Sequence, residues 1–515
     1  MKRFFLYGSF MLATLAAPIA AHGQNTSPID TVNRAVGAIG GADALRAMKA
    51  LTFKADAQFW EPQQSYVADG DPRFLGNSKI TFTWKNDDGA SRTDWERKFE
   101  YPIVEEKKYS EIVTSKYGAV SGGGSEAPMS NIRFASYRRE LERALPNLLM
   151  KALDEPGKVS SLSNQTLDGK SLPSVTFSDG YFKFAILFDP STKLPAAVRS
   201  FDDDWVYGDI TYDLVFADWR PVDGIKFAYS QTYKVNDIKV GHLDVKEVKL
   251  NPTVPADTFA IRDESREEAK MPASVPYQWV IRRLFLGRFL DSDAVNFPVS
   301  ATGLKLVELS PNVQFATGGS HNSLIISRKD HLVIIDAPIN EWQSRWTIDA
   351  AKAKYPGKPI KYLVLTHHHN DHTGGARTYV AEGASIIVAA PNKKHFETVF
   401  QLQHKLAPDE LQKSPKPANI IEFADHMTLK DESGDIELYK IANPHADGML
   451  MAHLVSENIV WVTDLYSPIR DKDRSEMFVS FYEALKQRGI APARIAGGHG
   501  GVVPISEMEA VMAAK

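Results

Sequence analysis

The chain has 515 residues, 43% of them apolar and 24% charged, with a formal charge of −4 at neutral pH. That mix excludes a disordered, collagen-like or multi-span membrane protein. The length calls for more than one domain, and the lack of a basic excess argues against nucleic acid as the main partner. Cysteine is absent. Disulfides, thiolate nucleophiles, iron–sulfur clusters and a lipoprotein anchor therefore drop out, and any metal must be held by His, Asp or Glu.

Residues 1–23 read as a secretory signal: Lys2-Arg3, an apolar run from Phe4 to Ala21, and small residues at Ala21-His22-Gly23. The mature chain is expected to be exported to the periplasm without a stable membrane anchor. Residues 28–262 read as a β-rich domain. After a short helix from Ala42 to Ala50, apolar residues alternate at Ile80, Phe82 and Trp84, and further strands are expected at Tyr181 to Phe188, Thr211 to Phe216 and His242 to Leu250. Period two puts one face in the core and one in water, as in an antiparallel sheet. Ser136 to Leu153 carries Leu141, Leu145, Leu148 and Leu149 at helical spacing, and Pro146 is expected to kink or split that helix. Asp202-Asp203-Asp204 lacks the spacing of a calcium loop and reads as a solvated turn. Residues 263–299 read as a linker and connecting helix, with charged Arg262 to Lys270 followed by an apolar helical pattern from Tyr277 to Leu290.

Residues 300–515 form the second domain. Strands are expected at Leu324 to Asp336, Ile360 to Thr366, Ser385 to Ala389, Ile436 to Ile441, Met451 to Val455 and Ile459 to Thr463. Helices are expected at Glu341 to Lys354, Lys393 to His404 and Glu476 to Arg488. Interleaved strands and helices indicate layered sheets covered by helices. The whole chain is thus expected to be α+β with two domains. Histidine separates the halves: between residues 23 and 320 there is one, His242, whereas residues 321–515 contain twelve. Histidine is the commonest metal ligand and a common acid–base group, so the chemistry is placed in the second half.

The strand ending at Thr366 runs into His367-His368-His369-Asn370-Asp371-His372-Thr373-Gly374-Gly375. Ligand types at i, i+2, i+4 and i+5 on a loop leaving a strand can serve two neighbouring metals, and the two glycines allow a following helix to approach closely. His445, Asp464 and His499 each follow an apolar strand and complete a set of seven candidate ligands. Imidazoles and carboxylates suit zinc. A pair of such ions lowers the pKa of a shared water to about 7, generating a nucleophile at neutral pH. Asp371 would also orient or relay the proton. His321 is a candidate donor to the substrate oxygen, Asp336 a candidate to hold a ligand imidazole, and Tyr466 a candidate oxyanion donor. His368 lies inside the motif but points the other way, and His331, His395, His404, His426 and His453 show no partner pattern; structural roles are expected for all of them.

The set His-x-His-x-Asp-His, then His, Asp and His, resembles the metallo-β-lactamase fold superfamily over about residues 300–515. The resemblance implies an αββα sandwich and two zinc ions, with other divalent metals able to substitute. One ion would be held by His367, His369 and His445 and the other by Asp371, His372 and His499, with Asp464 bridging. It implies a hydrolase of ester, lactone or amide bonds acting on a small, partly apolar molecule, with a sulfate or phosphate ester or a β-lactam as the alternative. The β-lactamases commonly use a Cys ligand or lack the bridging Asp. Asp464 and the absence of Cys make this set more similar to lactonases, thioesterases and alkylsulfatases. Ile39-Gly40-Gly41-Ala42-Asp43-Ala44-Leu45 and Asp218 to Lys226 resemble the outer-membrane lipoprotein carrier domain, which implies an antiparallel half-barrel with an apolar concave face. A non-enzymatic, lipophile-binding periplasmic protein is the corresponding alternative. The sequence leaves the oligomeric state, including a homodimer, open.

Overall fold

In the first domain, alternating burial runs strand by strand: Ser91–Phe99 buries every second residue from Ser91 to Phe99. The computed structural model describes residues 27–86, 89–101, 104–272, 303–319 and 321–513. The expected signal segment and the helix from Tyr277 to Leu290 lie outside the described residues. The strand Ala50–Glu61 starts a meander through Arg73–Lys85, Ser91–Phe99, Glu105–Val113 and Gly118–Gly122 to Ser125–Pro128 at one edge. A second meander starts at the other edge with Val159–Leu167 and returns to Ile238–Leu250, which pairs antiparallel with Ala50–Glu61. The result is one thirteen-stranded sheet.

The helix Pro28–Ile39 starts at Ser27, whose hydroxyl accepts from the Asp30 amide, supplying a partner to an otherwise orphaned donor. The expected helix around Pro146 is two helices, Asn131–Arg143 and Asn147–Asp154, split at that proline. Ala35, Val36, Leu148 and Leu149 share one apolar core with Trp84, Trp95 and Tyr212 of the sheet.

Asp202-Asp203-Asp204 is not a solvated turn. It ends the strand Pro195–Asp204 and is largely buried, with Asp204 1% exposed. Each carboxylate has its own partner: Asp202 meets Arg139 at 2.5 Å, Asp203 meets His404 at 3.0 Å, and Asp204 accepts from Gln63 Nε2 at 2.6 Å. Partners distant in sequence offset part of the cost of burying the run.

The second domain has two sheets. One contains seven strands from Lys305–Ser310 to Ile420–Phe423, antiparallel at first and parallel from Leu332–Ile335 onward. The other contains six, from His426–Leu429 to Val502–Pro504. Their inner faces share one core, in which Ile326, Val333, Ile335, Val364 and Ile387 meet Leu438, Leu450, Ala452 and Trp461. The outer face of the first sheet packs on the helices Glu341–Lys354, Ala376–Glu382 and Lys393–Val399. That of the second packs on Glu476–Gln487 and Ile505–Ala513. Strands buried on both faces read as continuous apolar runs, which is the pattern of Leu332–Ile335 and Ile459–Val462. The order of layers is helix, sheet, sheet, helix.

Candidate metal centre

The site lies where strands of both sheets end. The His367–His372 run follows Ile360–Val364, Asp464 comes two residues after Ile459–Val462, and His499 comes two after Arg494–Gly497. His321 stands just before Ser323–Ser327 and Asp336 just after Leu332–Ile335; these two strands are antiparallel neighbours, so both residues reach the same rim. A Cβ on Gly374 would lie 2.1 Å from the Ile339 carbonyl oxygen, and one on Gly375 2.0 Å from Ser344 Oγ. Only glycine permits that approach of the loop to the helix Glu341–Lys354.

Two groups of side chains converge there. His367, His369, His445 and Asp464 form one, and His321, Asp371, His372 and His499 the other; in each, the ligand atoms lie within 4.8 Å of one another. Asp464 joins them. Its Oδ2 is 3.1 Å from His367 Nε2, 3.1 Å from His372 Nε2 and 3.3 Å from His445 Nε2, while its Oδ1 is 2.6 Å from His499 Nε2. Asp464 adopts a left-handed backbone, φ +56°, a conformation that is rare outside glycine and tolerated best by Asn and Asp.

The hydrogen bonds fix the tautomers. Thr366 Oγ1 donates to the Asp336 carboxylate at 2.9 Å, so its oxygen accepts from His367 Nδ1 at 3.2 Å. His367 is neutral: burial pushes its pKa down to about 4 against the pull of Asp464. Its Nε2 is therefore an unprotonated lone pair facing a carboxylate oxygen at 3.1 Å. Both atoms are buried, and neither has a hydrogen-bond partner. His372, whose charge Asp464 favours, faces the same Oδ2 at 3.1 Å, but the His367 Nε2 lone pair has no donor, and a bound cation would satisfy it. The donor set of imidazoles and carboxylates, without thiolate, suits zinc and related divalent ions.

His369 Nε2 donates to the Ser65 carbonyl oxygen at 2.9 Å, leaving Nδ1 to face His445 Nε2 at 3.0 Å. Burial drives the His369 pKa well below its ordinary value. Burial likewise lowers His321 to about 3, and its Nε2 donates to Asp371 Oδ2 at 3.1 Å. Asp371 is ionised: burial opposes its charge, but the His321 hydrogen bond and the nearby His372 hold it well below the carboxylate range. His372 runs the other way. Burial opposes its charge, yet Asp464 and Asp336 raise its pKa well above the usual value, with Asp336 Oδ2 3.6 Å from Nδ1.

The expected residues are placed as follows. The seven candidate ligands converge, and His321, the candidate substrate donor, lies with Asp371, His372 and His499. Asp336 lies behind the ligands, held by the Thr366 amide at 2.9 Å and by Trp461 Nε1 at 3.3 Å. Tyr466 joins neither group; its ring packs on Phe478 and Phe481. His368 is buried with Nε2 2.9 Å from the Ser65 carbonyl oxygen. His395 and His404 face Asp69 and Asp203 of the first domain.

Sequence reasoning missed the contribution of the first domain. Gln64 Nε2 donates to Asp371 Oδ1 at 2.7 Å, and Arg73 Nη2 donates to the His445 carbonyl oxygen at 2.6 Å. The segment from Glu61 to Ser65 carries no metal-ligand pattern, so no local signal could have marked it.

Residues 316–455 match the family model described as the metallo-beta-lactamase superfamily. The C-terminal region is thus a metallo-beta-lactamase-like domain. Similar solved structures include the metallo-beta-lactamase from Pontibacter korlensis, 17% identical and covering 41% of this chain and 100% of that one, with a TM-score of 0.31. They also include the DIM-1 metallo-beta-lactamase (17% identity, 40% of this chain, 94% of that one, TM-score 0.31) and VMB-1 (18%, 41%, 95%, 0.31). No curated protein matches this chain.

Proposed function

We propose that this protein is an exported hydrolase with a two-metal site, zinc being the metal, that cleaves an ester, lactone or amide bond. His367, His369 and His445 would hold one ion and Asp371, His372 and His499 the other, with Asp464 between them and His321 beside the second. The observation that carries the reading is the convergence of His367, His372, His445 and His499 on the two oxygens of Asp464, within two groups whose ligand atoms lie within 4.8 Å of one another. The metals, when bound, supply Lewis acidity and a lowered pKa for water at the site.

The chain's own residues do the rest. Asp371, ionised and gripped on both oxygens by Gln64 and His321, would orient the attacking water or relay its proton. Thr366 holds the ring of His367 and sets which nitrogen faces inward, and the Asp336 carboxylate lies behind His372 at 3.6 Å. The side chains of Asp371, Asp464 and His499 keep 18%, 12% and 17% exposure, while His367 and His372 have none. Substrate therefore approaches over that face.

His369→Ala tests the reading. Zinc content and turnover should both fall severely in a screen of esters, lactones, amides, sulfate and phosphate esters and β-lactams; unchanged turnover would remove the assignment. A second reading, lipophile binding by the first domain, has one observation in its favour: a cavity lined by Phe53, Phe82, Trp95, Phe216, Trp219 and Phe227. Displacement of a fluorescent fatty acid tests it.

A further inference from the structure

The stretch Pro62–Gln64 is a single helical turn at the end of strand Ala50–Glu61, and it leaves the first domain to enter the histidine cluster of the second. Gln63, Gln64 and Ser65 are 6%, 5% and 1% exposed, unusual for polar residues in a connection between strands. Each has a defined task. Gln63 is anchored by Asp204 at 2.6 Å. Gln64 accepts from the Tyr101 hydroxyl at 2.5 Å through Oε1 and donates through Nε2 to Asp371 at 2.7 Å and to Asn370 Oδ1 at 3.2 Å. Tyr101 thereby fixes which end of the amide faces the carboxylate. The Ser65 carbonyl takes two imidazole N–H groups, those of His368 and His369, each at 2.9 Å. Because Nε2 of His369 carries that proton, Nδ1 is the nitrogen left for a ligand. Arg73 closes the clasp: its guanidinium stacks on Tyr101 at 4.7 Å and donates to the Gln64 carbonyl at 2.5 Å and the His445 carbonyl at 2.6 Å.

We infer that this clasp is a working part of the metal centre, with Gln64 the positioning residue for Asp371 and the Ser65 carbonyl that for His369, so that the first domain sets metal affinity. The inference rests on the two-metal reading above. Groups that orient ligands from behind change affinity by about 10–100-fold when removed. The second domain supplies Asp336 and Thr366 behind His372 and His367. Behind His369 and the inner end of Asp371 the first domain stands in that position.

The test uses the full chain, with zinc affinity measured against a competing chelator and the absorption spectrum of the cobalt-loaded protein as a second readout. Gln64→Ala should weaken binding of one of two zinc ions about tenfold and alter the cobalt spectrum. Tyr101→Phe, which deletes one oxygen atom and serves if the alanine variant fails to fold, should shift both in the same direction by less. Gln64→Glu, placing a second carboxylate against Asp371, should weaken the site further. Wild-type affinity and an unchanged spectrum in Gln64→Ala and Tyr101→Phe would overturn the inference while leaving the two-metal reading intact. A wild-type chain that binds no zinc would overturn both.

Discussion

The two domains solve the placement of polar groups in opposite ways. The first is a sheet whose charges lie mostly at its wet face and its edges, with a few buried pairs such as Arg133–Glu111 and Arg199–Asp213. In those pairs each buried charge meets its opposite. The second concentrates histidines and carboxylates at one rim, where His367 Nε2 and Asp464 Oδ2 face each other without a proton between them. A buried pair of opposite charges fixes a fold; several imidazoles converging on one carboxylate form a group that could hold a metal ion.

Asp464→Ala should have the largest effect. It removes the carboxylate shared by both groups, and turnover should fall by about 10³-fold or more, with zinc loss visible by elemental analysis. Arg133→Met sharpens the contrast from the other side. It removes the guanidinium that meets buried Glu111, and should cost about 3–5 kcal/mol of stability in a denaturant melt, with the zinc content of the folded fraction unchanged. Asp336→Asn, behind His372, should weaken zinc binding about 10–100-fold while the chain stays folded.

The sequence made the second domain legible where the signal is local. Strand, loop and ligand follow one another within a few residues at His367–His372, Asp464 and His499. The split at Pro146 was legible for the same reason, since a proline acts on its own turn. The signal failed where partners lie hundreds of positions apart. Gln64 and Asp371 are 307 residues from one another, and nothing in Pro-Gln-Gln-Ser announces a carboxylate partner. The Asp202–Asp204 run failed likewise, because its burial depends on Arg139, His404 and Gln63. His321 was seen as a candidate, but its position among the ligands follows from the antiparallel pairing that brings it beside Asp336.

The joint between the domains makes a smaller prediction. Burial pushes the Asp204 carboxyl up to about 6, against hydrogen bonds from Tyr207, Val206 and Gln63. Its pKa in the unfolded chain is near 3.9. A folded value above the unfolded one contributes stability that is complete below about pH 4 and is lost as pH rises through about 6. Asp204→Asn keeps the accepting oxygen and cannot ionise. It should remove the stability lost between pH 4 and 7, about 3 kcal/mol for a carboxyl shifted this far. Parallel melts of the two proteins across that range check it; identical pH dependence would show that Asp204 does not titrate in this window.

Metal stoichiometry of the purified full chain, set beside that of Asp464→Ala, bears most directly on the central claim. About two zinc ions per wild-type chain and at most one in the variant are expected, with both proteins folded. A folded wild-type chain that takes up no divalent metal at neutral pH would contradict it.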